Sequence, residues 1–320
     1  MSEVRRMTVR DDRTSPVHGT PAWKPVKSLW YTAMLLVALV LAPGTFTWST
    51  GIMCGLLTAF TLCFGHSVGL HRLLVHRSFK CPLWLEYCMV YTGVLVGMGG
   101  PRSILYMHDI RDWSQRHPDC HAFYIHKSPI WKDWWWNLHC ELKLDHPPVF
   151  KPEARVAESA VYRWMERYWM LTQLPLAIVL FAIGGLPWLV WGIAVRIAVS
   201  LTGHWLVGHI AHKWGRQPWI VDGAAVQGYN VHGLGLITMG EAWHNNHHAF
   251  PESARLGLEP FQFDAGWLLV SVLRRIGFIW DVKVPEDLPE REALRRNEEA
   301  KKLEQPELPS HVGKMASASM

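Results

Sequence analysis

Three imidazoles stand within five residues in the stretch Gly240-Glu241-Ala242-Trp243-His244-Asn245-Asn246-His247-His248. Neutral imidazole is the commonest side-chain metal ligand. Three of them converging suit a borderline transition metal such as iron, zinc or copper. On a helix His244 and His248 lie four apart on one face with His247 beside them, so the spacing predicts convergence on one point. The bland alternative for a lone HxxHH is a solvated turn. Two further groups weigh against it: His71 and His76 close one long apolar run, and His212 closes another.

The elements that must position these residues are apolar. Of 320 residues 49% are hydrophobic, gathered in blocks between charged ends. No charged side chain lies between Lys27 and His71. That stretch is long enough for two membrane crossings of roughly 20 residues each, turning at Pro43-Gly44. A second apolar hairpin is expected from Trp169 to Val207, turning at Gly184-Gly185-Leu186-Pro187, with Arg196 facing the protein interior. His204 and His209 lie near its exit; a hydrogen-bonded interior residue is the plainer reading of His204.

Residues 82–100 are apolar enough for a further crossing. That crossing would carry the Lys- and Arg-rich stretch after it, from Arg102 to Arg167, away from the His71 side, against the positive-inside rule. The block therefore reads as a buried or interfacial helix that dips in without spanning. Trp131 and Trp134 to Trp136 are expected at headgroup level or in an aromatic core. Residues 213–243 read as a loop-rich return carrying Asn230 and His232, and an amphipathic helix is expected over Phe261 to Phe278.

The fold class expected is all-α: a polytopic membrane protein with four transmembrane helices in two hairpins and a cytoplasmic helical cap carrying the histidines. Residues 1–27 read as a disordered cytoplasmic arm, 28–285 as the membrane domain, and 286–320 as a charged cytoplasmic tail, a solvated helix fading into a floppy end. The termini and every histidine group then share the cytoplasmic face of the inner or plasma membrane.

The net charge of +5 invites a nucleic-acid reading, but no groove-reading motif is present and the cations flank apolar blocks. Anionic membrane lipid is the expected partner. The six cysteines, Cys54, Cys63, Cys81, Cys88, Cys120 and Cys140, form no CxxC pair and should remain reduced. No cleavable signal peptide is read at the N-terminus.

The order HxxxxH after a second crossing, a single His after a fourth, then HxxHH resembles membrane-bound fatty acid desaturases of the acyl-CoA (stearoyl-CoA) type. Gly69-Leu70-His71-Arg72-Leu73-Leu74-Val75-His76-Arg77-Ser78-Phe79 is similar to that family's first histidine box, and Gly240 to Pro251 to its third. Phe263-Asp264 and Gly277 to Val282 fit its C-terminal pattern, so the resemblance covers about residues 25–285. It implies an O₂-dependent enzyme in which histidines hold two irons on the cytoplasmic side. The iron pair would abstract hydrogen from an unactivated methylene of a fatty acyl chain lying in a dry tunnel. It also implies a separate electron donor, a ferredoxin or a cytochrome b5-type protein with its reductase.

The second box departs from the family pattern HxxHH. Aligned without gaps, His108 keeps the first position while Arg111 and Asp112 replace the other two. Arg111 has no acceptor and cannot ligate a cation. Asp112 is a candidate carboxylate ligand, or else a partner for Arg111. His117, His121 and His126 are substitutes, each with a surface reading beside it. Four residues before His212 the family has Asn; here Gly208 stands there, with His209 next. The metal set implied is His71, His76, His108, His212, His244, His247 and His248, with Asp112, holding two irons or one. A di-iron lipid hydroxylase and a catalytically inactive, lipid-binding protein of the same fold are the competing readings.

Overall fold

The computed structural model describes residues 6–297. The outer ends of the expected arm and tail, 1–5 and 298–320, lie outside the described residues. Strands β1 (Met7–Thr8) and β2 (Gly19–Trp23) precede helix α1 (Pro25–Leu41). A 3₁₀ turn at Pro43–Thr45 leads into α2 (Trp48–Phe60), which continues as a π-helix over Thr61–Val75. Then come α3 (Leu83–Val94), α4 (Pro101–Gln115), α5 (Ala122–Ile125), α6 (Ile130–His139), β3 (Cys140–Leu144) and β4 (Val149–Phe150). The chain goes on through α7 (Ala154–Ala157), α8 (Ala160–Arg167), α9 (Gln173–Leu189), a π-helical Val190–Val195 and α10 (Arg196–Ala211). It ends with β5 (Trp219–Val221), α11 (His244–Ala249), α12 (Ala265–Arg275) and β6 (Leu294–Arg296).

Two continuous helical stretches, Trp48–Val75 and Gln173–Ala211, are long and apolar enough to cross a membrane. Only 33% and 22% of their most apolar windows are buried inside the protein. Leu56, Phe60, Leu174, Ile178, Phe181 and Ile183 therefore point outward, which suits lipid and not water. The 17-residue α1 is apolar but shorter. The 39 residues of Gln173–Ala211 would exceed a bilayer as one rod. Gly185, at φ 62° and ψ −154°, breaks it, and Leu180 folds back onto Gly192. The twelve residues of α3 are too few to span; α3 packs on the π-helical segment instead. A Cβ at Gly65 would run into Gly93 N, so the two helices approach where neither carries a side chain. Arg196 is fully buried, donating to Gly192 O, Leu95 O and Gln173 Oε1 at 2.6–2.7 Å.

The described residues are largely helical, in line with the all-α expectation, and add three two-stranded antiparallel sheets, β1–β4, β2–β3 and β5–β6. These sheets also correct the reading of both ends. From residue 6 the arm is folded. Arg6 is 3% exposed, pairs with Glu153 at 2.8 Å and Asp109 at 3.0 Å, and donates to Val75 O at 2.8 Å. Polar composition suggested disorder, but a buried guanidinium with two carboxylates and a helix-end carbonyl outweighs it. In the tail, β6 pairs with β5 where a solvated helix was expected. Arg295 meets Asp222 at 2.6 Å and Arg296 covers the Trp219 ring.

Candidate metal centre

His71 and His76 are five residues apart, which places them about 140° apart around an α-helix. The π-helical winding removes that offset. The His76 N–H donates to His71 O, five residues back, at 3.0 Å, and the two rings meet with centroids 4.8 Å apart. His108 comes from α4 and His247 from α11. One ligand atom from each of these four histidines lies within 4.8 Å of all the others. A second set, His212, His244 and His248, meets the same criterion. In it His244 Nε2 stands 3.2 Å from His212 Nε2 and 3.1 Å from His248 Nε2.

The expectation that His244, His247 and His248 converge on one point is overturned. His244 and His248 share a face of α11, while His247 turns into the first set, its ring 4.6 Å from His71 and 4.7 Å from His76. The short helix thus belongs to both sets and holds them side by side. The two asparagines between its histidines anchor its back. Asn230 Oδ1 accepts from the N–H groups of Asn245 and Asn246 at 3.0 and 3.2 Å. Asn245 Oδ1 accepts from Trp219 N–H at 2.8 Å, and Asn246 Nδ2 donates to Leu256 O at 2.7 Å.

Partners behind the rings set their orientation. His71 Nδ1 lies 2.7 Å from Glu241 Oε2, and His212 Nδ1 lies 2.7 Å from Gly208 O. A proton held at Nδ1 by such an acceptor leaves the Nε2 lone pair for a cation. Glu241 is fixed in turn by Ser67 Oγ at 2.6 Å and Arg72 Nη1 at 3.1 Å. Arg72, 1% exposed, also reaches Asp264 at 2.9 Å and Ala254 O at 2.8 Å. Burial alone would raise the Glu241 carboxyl, but His71 and Arg72 hold it well below the usual carboxylate range. Burial and mutual repulsion hold His76, His212, His244 and His247 well below the usual imidazole range, and His248 down to about 4. These five rings are therefore neutral near pH 7, while Asp112 and Asp109 draw His108 the other way, above the usual imidazole value, against its burial. His244 Nε2 faces two other Nε2 atoms, and one ring proton cannot satisfy both contacts. A bound cation would, and this donor set of neutral nitrogens fits iron or zinc.

Asp112 belongs to neither set. Its carboxylate is 3.9 Å from His108 Nδ1 and 3.5 Å from Arg116 Nη2. With Gln115, His247 and His248 it lines a cavity of about 20 Å³. The alternative pairing of Asp112 with Arg111 is not formed; Arg111 Nη2 donates to Asn137 Oδ1 at 3.1 Å. Of the proposed substitutes, His117 packs on Trp113 and His121 caps α5 through Nδ1. His126 corrects the surface reading. It is 1% exposed, stacks on His212 at 4.9 Å, and shares Asp133 with His209. His209 therefore does not take over the position of Gly208. Asp133 accepts from His126, His209, Trp205 and Asn137 at 2.7–3.1 Å. A carboxylate with four donors is satisfied without a metal, and it fixes His126 against the second set. Glu241 and Asp133 were given no role by the sequence reading because each acts through a histidine distant in sequence, and Asn230 was noted there only as part of a return loop. Only Glu241, inside the third box, was within reach of it.

No family model matches the chain. Individual relatives do. It is 32% identical over 292 residues to an acyl-CoA C20 Delta5-desaturase of Anemone leveillei, covering 89% of this chain and 91% of that protein. It is 33% identical over 271 residues to an sn-1 stearoyl-lipid 9-desaturase of Synechocystis, covering 84% and 82%. A protein of the same description from Anabaena variabilis is 33% identical over 267 residues, covering 82% and 94%. With two sets of inward-facing imidazoles on such a scaffold, and relatives of this identity aligned over most of both chains, the chain belongs to the fatty acyl desaturases.

Proposed function

We propose that the protein is an oxidoreductase that desaturates a fatty acyl chain in an O₂- and iron-dependent reaction. His71, His76, His108 and His247 would hold one iron, and His212, His244 and His248 a second. The observation that carries this reading is the pair of neighbouring imidazole sets joined through α11. Bound iron supplies the oxidising power for hydrogen removal from a methylene, which no side chain possesses. Desaturation consumes O₂, two electrons and two protons and releases two waters. The electrons would come from a separate ferredoxin or cytochrome b5-type donor with its reductase.

The chain's own residues prepare the ligands. The Gly208 carbonyl fixes the tautomer of His212, Glu241 places a carboxylate 2.7 Å from His71 Nδ1, and burial keeps His76, His212, His244, His247 and His248 uncharged. The test of the function is the fatty-acid profile of a desaturase-deficient host expressing the chain. New unsaturated acyl chains are expected; an unchanged profile, with iron bound to the purified protein, would refute the activity. Hydroxylated products would instead favour a lipid hydroxylase.

Asp112 is proposed as a further metal partner, since its carboxylate faces the space between His108, His247 and His248. Burial opposes its charge, yet His108 and Arg116 hold its pKa below the usual carboxylate value, so it stays ionised. Asp112→Asn keeps the size and removes the charge. It is expected to lower iron affinity about tenfold to a hundredfold, read as iron per chain after dialysis against a weak chelator. Iron content equal to wild type would remove Asp112 from the metal's surroundings.

Four crossings are proposed: α1 and the Trp48–Val75 helix about the turn at Pro43–Thr45, and the two arms of Gln173–Ala211 about Gly185. The support is helix length, outward apolar faces and the Lys/Arg distribution. Reporter fusions at 45 and 185 are expected to report the side opposite to fusions at 120 and 290. A common side for all four would rule this topology out.

A further inference from the structure

The second metal set has three imidazoles where the first has four. A metal held by three protein ligands keeps an open position for water. α4 brings an amide to that side of the centre. His108, Asp112 and Gln115 are spaced four and three residues apart, so they share one face of the helix. Gln115 is 2% exposed. Its Nε2 donates to Tyr124 O at 2.8 Å, which fixes the orientation of the amide, since a carbonyl oxygen accepts only from an N–H. The same Nε2 stands 3.3 Å from His212 Nε2, at the long end of a hydrogen bond, and holds that lone pair only weakly. Among the described residues Oε1 accepts no hydrogen bond. Gly208, one turn before His212, stands where the family has Asn, and a Cβ there would meet no atom within 4 Å. α10 therefore offers His212 no amide, and α4 does.

Gln115 also lines the cavity of about 20 Å³ that it shares with Asp112, His247 and His248. A space of that size bordered by polar groups holds one water molecule. A water on a cation is a stronger donor than bulk water, and an amide oxygen accepts from it without adding charge. We propose that Gln115 is a positioning residue of the second metal, its Oε1 holding the water that completes the coordination offered by His212, His244 and His248. This rests on the desaturase reading and deepens it. The helix in which Arg111 and Asp112 replace two histidines thus still serves the second set, three residues further on.

The test is cobalt(II) titration of the metal-free, detergent-purified full chain, followed by its visible d–d absorption. The wild-type chain fills two sites. Gln115→Leu weakens one of them about tenfold to a hundredfold and leaves the other as it was. Gly208→Asn, added to the Gln115→Leu chain, brings the weakened site back to within about threefold of wild type. That variant supplies an amide from a different helix, so recovery separates metal positioning from packing at Gln115. Unchanged cobalt affinity in Gln115→Leu overturns the proposal and leaves the desaturase reading intact. So does a loss that Gly208→Asn fails to recover. Cobalt filling fewer than two sites in the wild-type chain counts against the two-metal reading itself. The thermal midpoint of each metal-free variant reports folding. Should Gln115→Leu not fold, the cobalt-loaded wild-type chain decides: in water enriched in oxygen-17 its electron paramagnetic resonance signal broadens when a water is a ligand, and an unbroadened signal overturns the proposal.

Discussion

His247→Ala is expected to leave the purified protein with about half its iron or less and to lower desaturation by about a hundredfold or more. His247 is one of four imidazoles in the first set, and it packs against two of the others. A methyl group offers no donor atom, so the set of four imidazoles loses one. α11 should survive the change. It is held by Asn230, Asn245 and Asn246, none of which touches the His247 side chain. The second set should therefore keep its metal while the first is depleted, which metal analysis and product formation on the same sample would show. Wild-type iron and activity in His247→Ala would remove this residue from the site. Loss of both irons would mean that the two sets fill cooperatively.

Glu241→Gln carries the next largest effect, and it combines stability with metal binding. The carboxylate joins His71, Ser67 and Arg72 in one buried network. Removing its charge weakens a buried ion pair, at a cost of about 3 kcal/mol, the lower end for such pairs. The low end applies because Arg72 keeps Asp264 and the Ala254 carbonyl. The His71 Nδ1 proton also loses its charged acceptor, so iron affinity is expected to fall about tenfold to a hundredfold. Asp264→Asn separates the two consequences. It weakens the same Arg72 network and caps α12 less well, and it forms no hydrogen bond or ion pair with His71 among the described residues. It is therefore expected to lower the thermal midpoint and leave iron per chain unchanged. Iron loss of the same size in both variants would reduce the role of Glu241 to general stability.

The sequence by itself determined the apolar scaffold and the identity of seven histidines. Charge-free runs long enough to enter lipid, punctuated by Pro43-Gly44 and Gly184-Gly185, are local signals that need no partner to be read. HxxxxH and HxxHH are likewise local, and their residue types suit a metal. Tertiary structure decided how these histidines divide into two sets. HxxHH on a helix presents two directions, and only the positions of His71, His76, His108 and His212 determine that His247 goes one way while His244 and His248 go the other. The π-helical winding that aligns His71 with His76 depends on α3 packing against Gly65 and Gly69, which spacing alone does not reveal. The two substitutions in the second box were visible as letters, but their directions were not. Arg111 points to Asn137 and Asp112 toward His108 because α6 offers a carbonyl oxygen on one side of α4 and the histidines stand on the other. Composition misjudged both chain ends for the same physical reason. Arg6 and Arg295 look solvated in sequence, and only the fold supplies the carboxylates of Glu153, Asp109 and Asp222, far along the chain, that hold them in place.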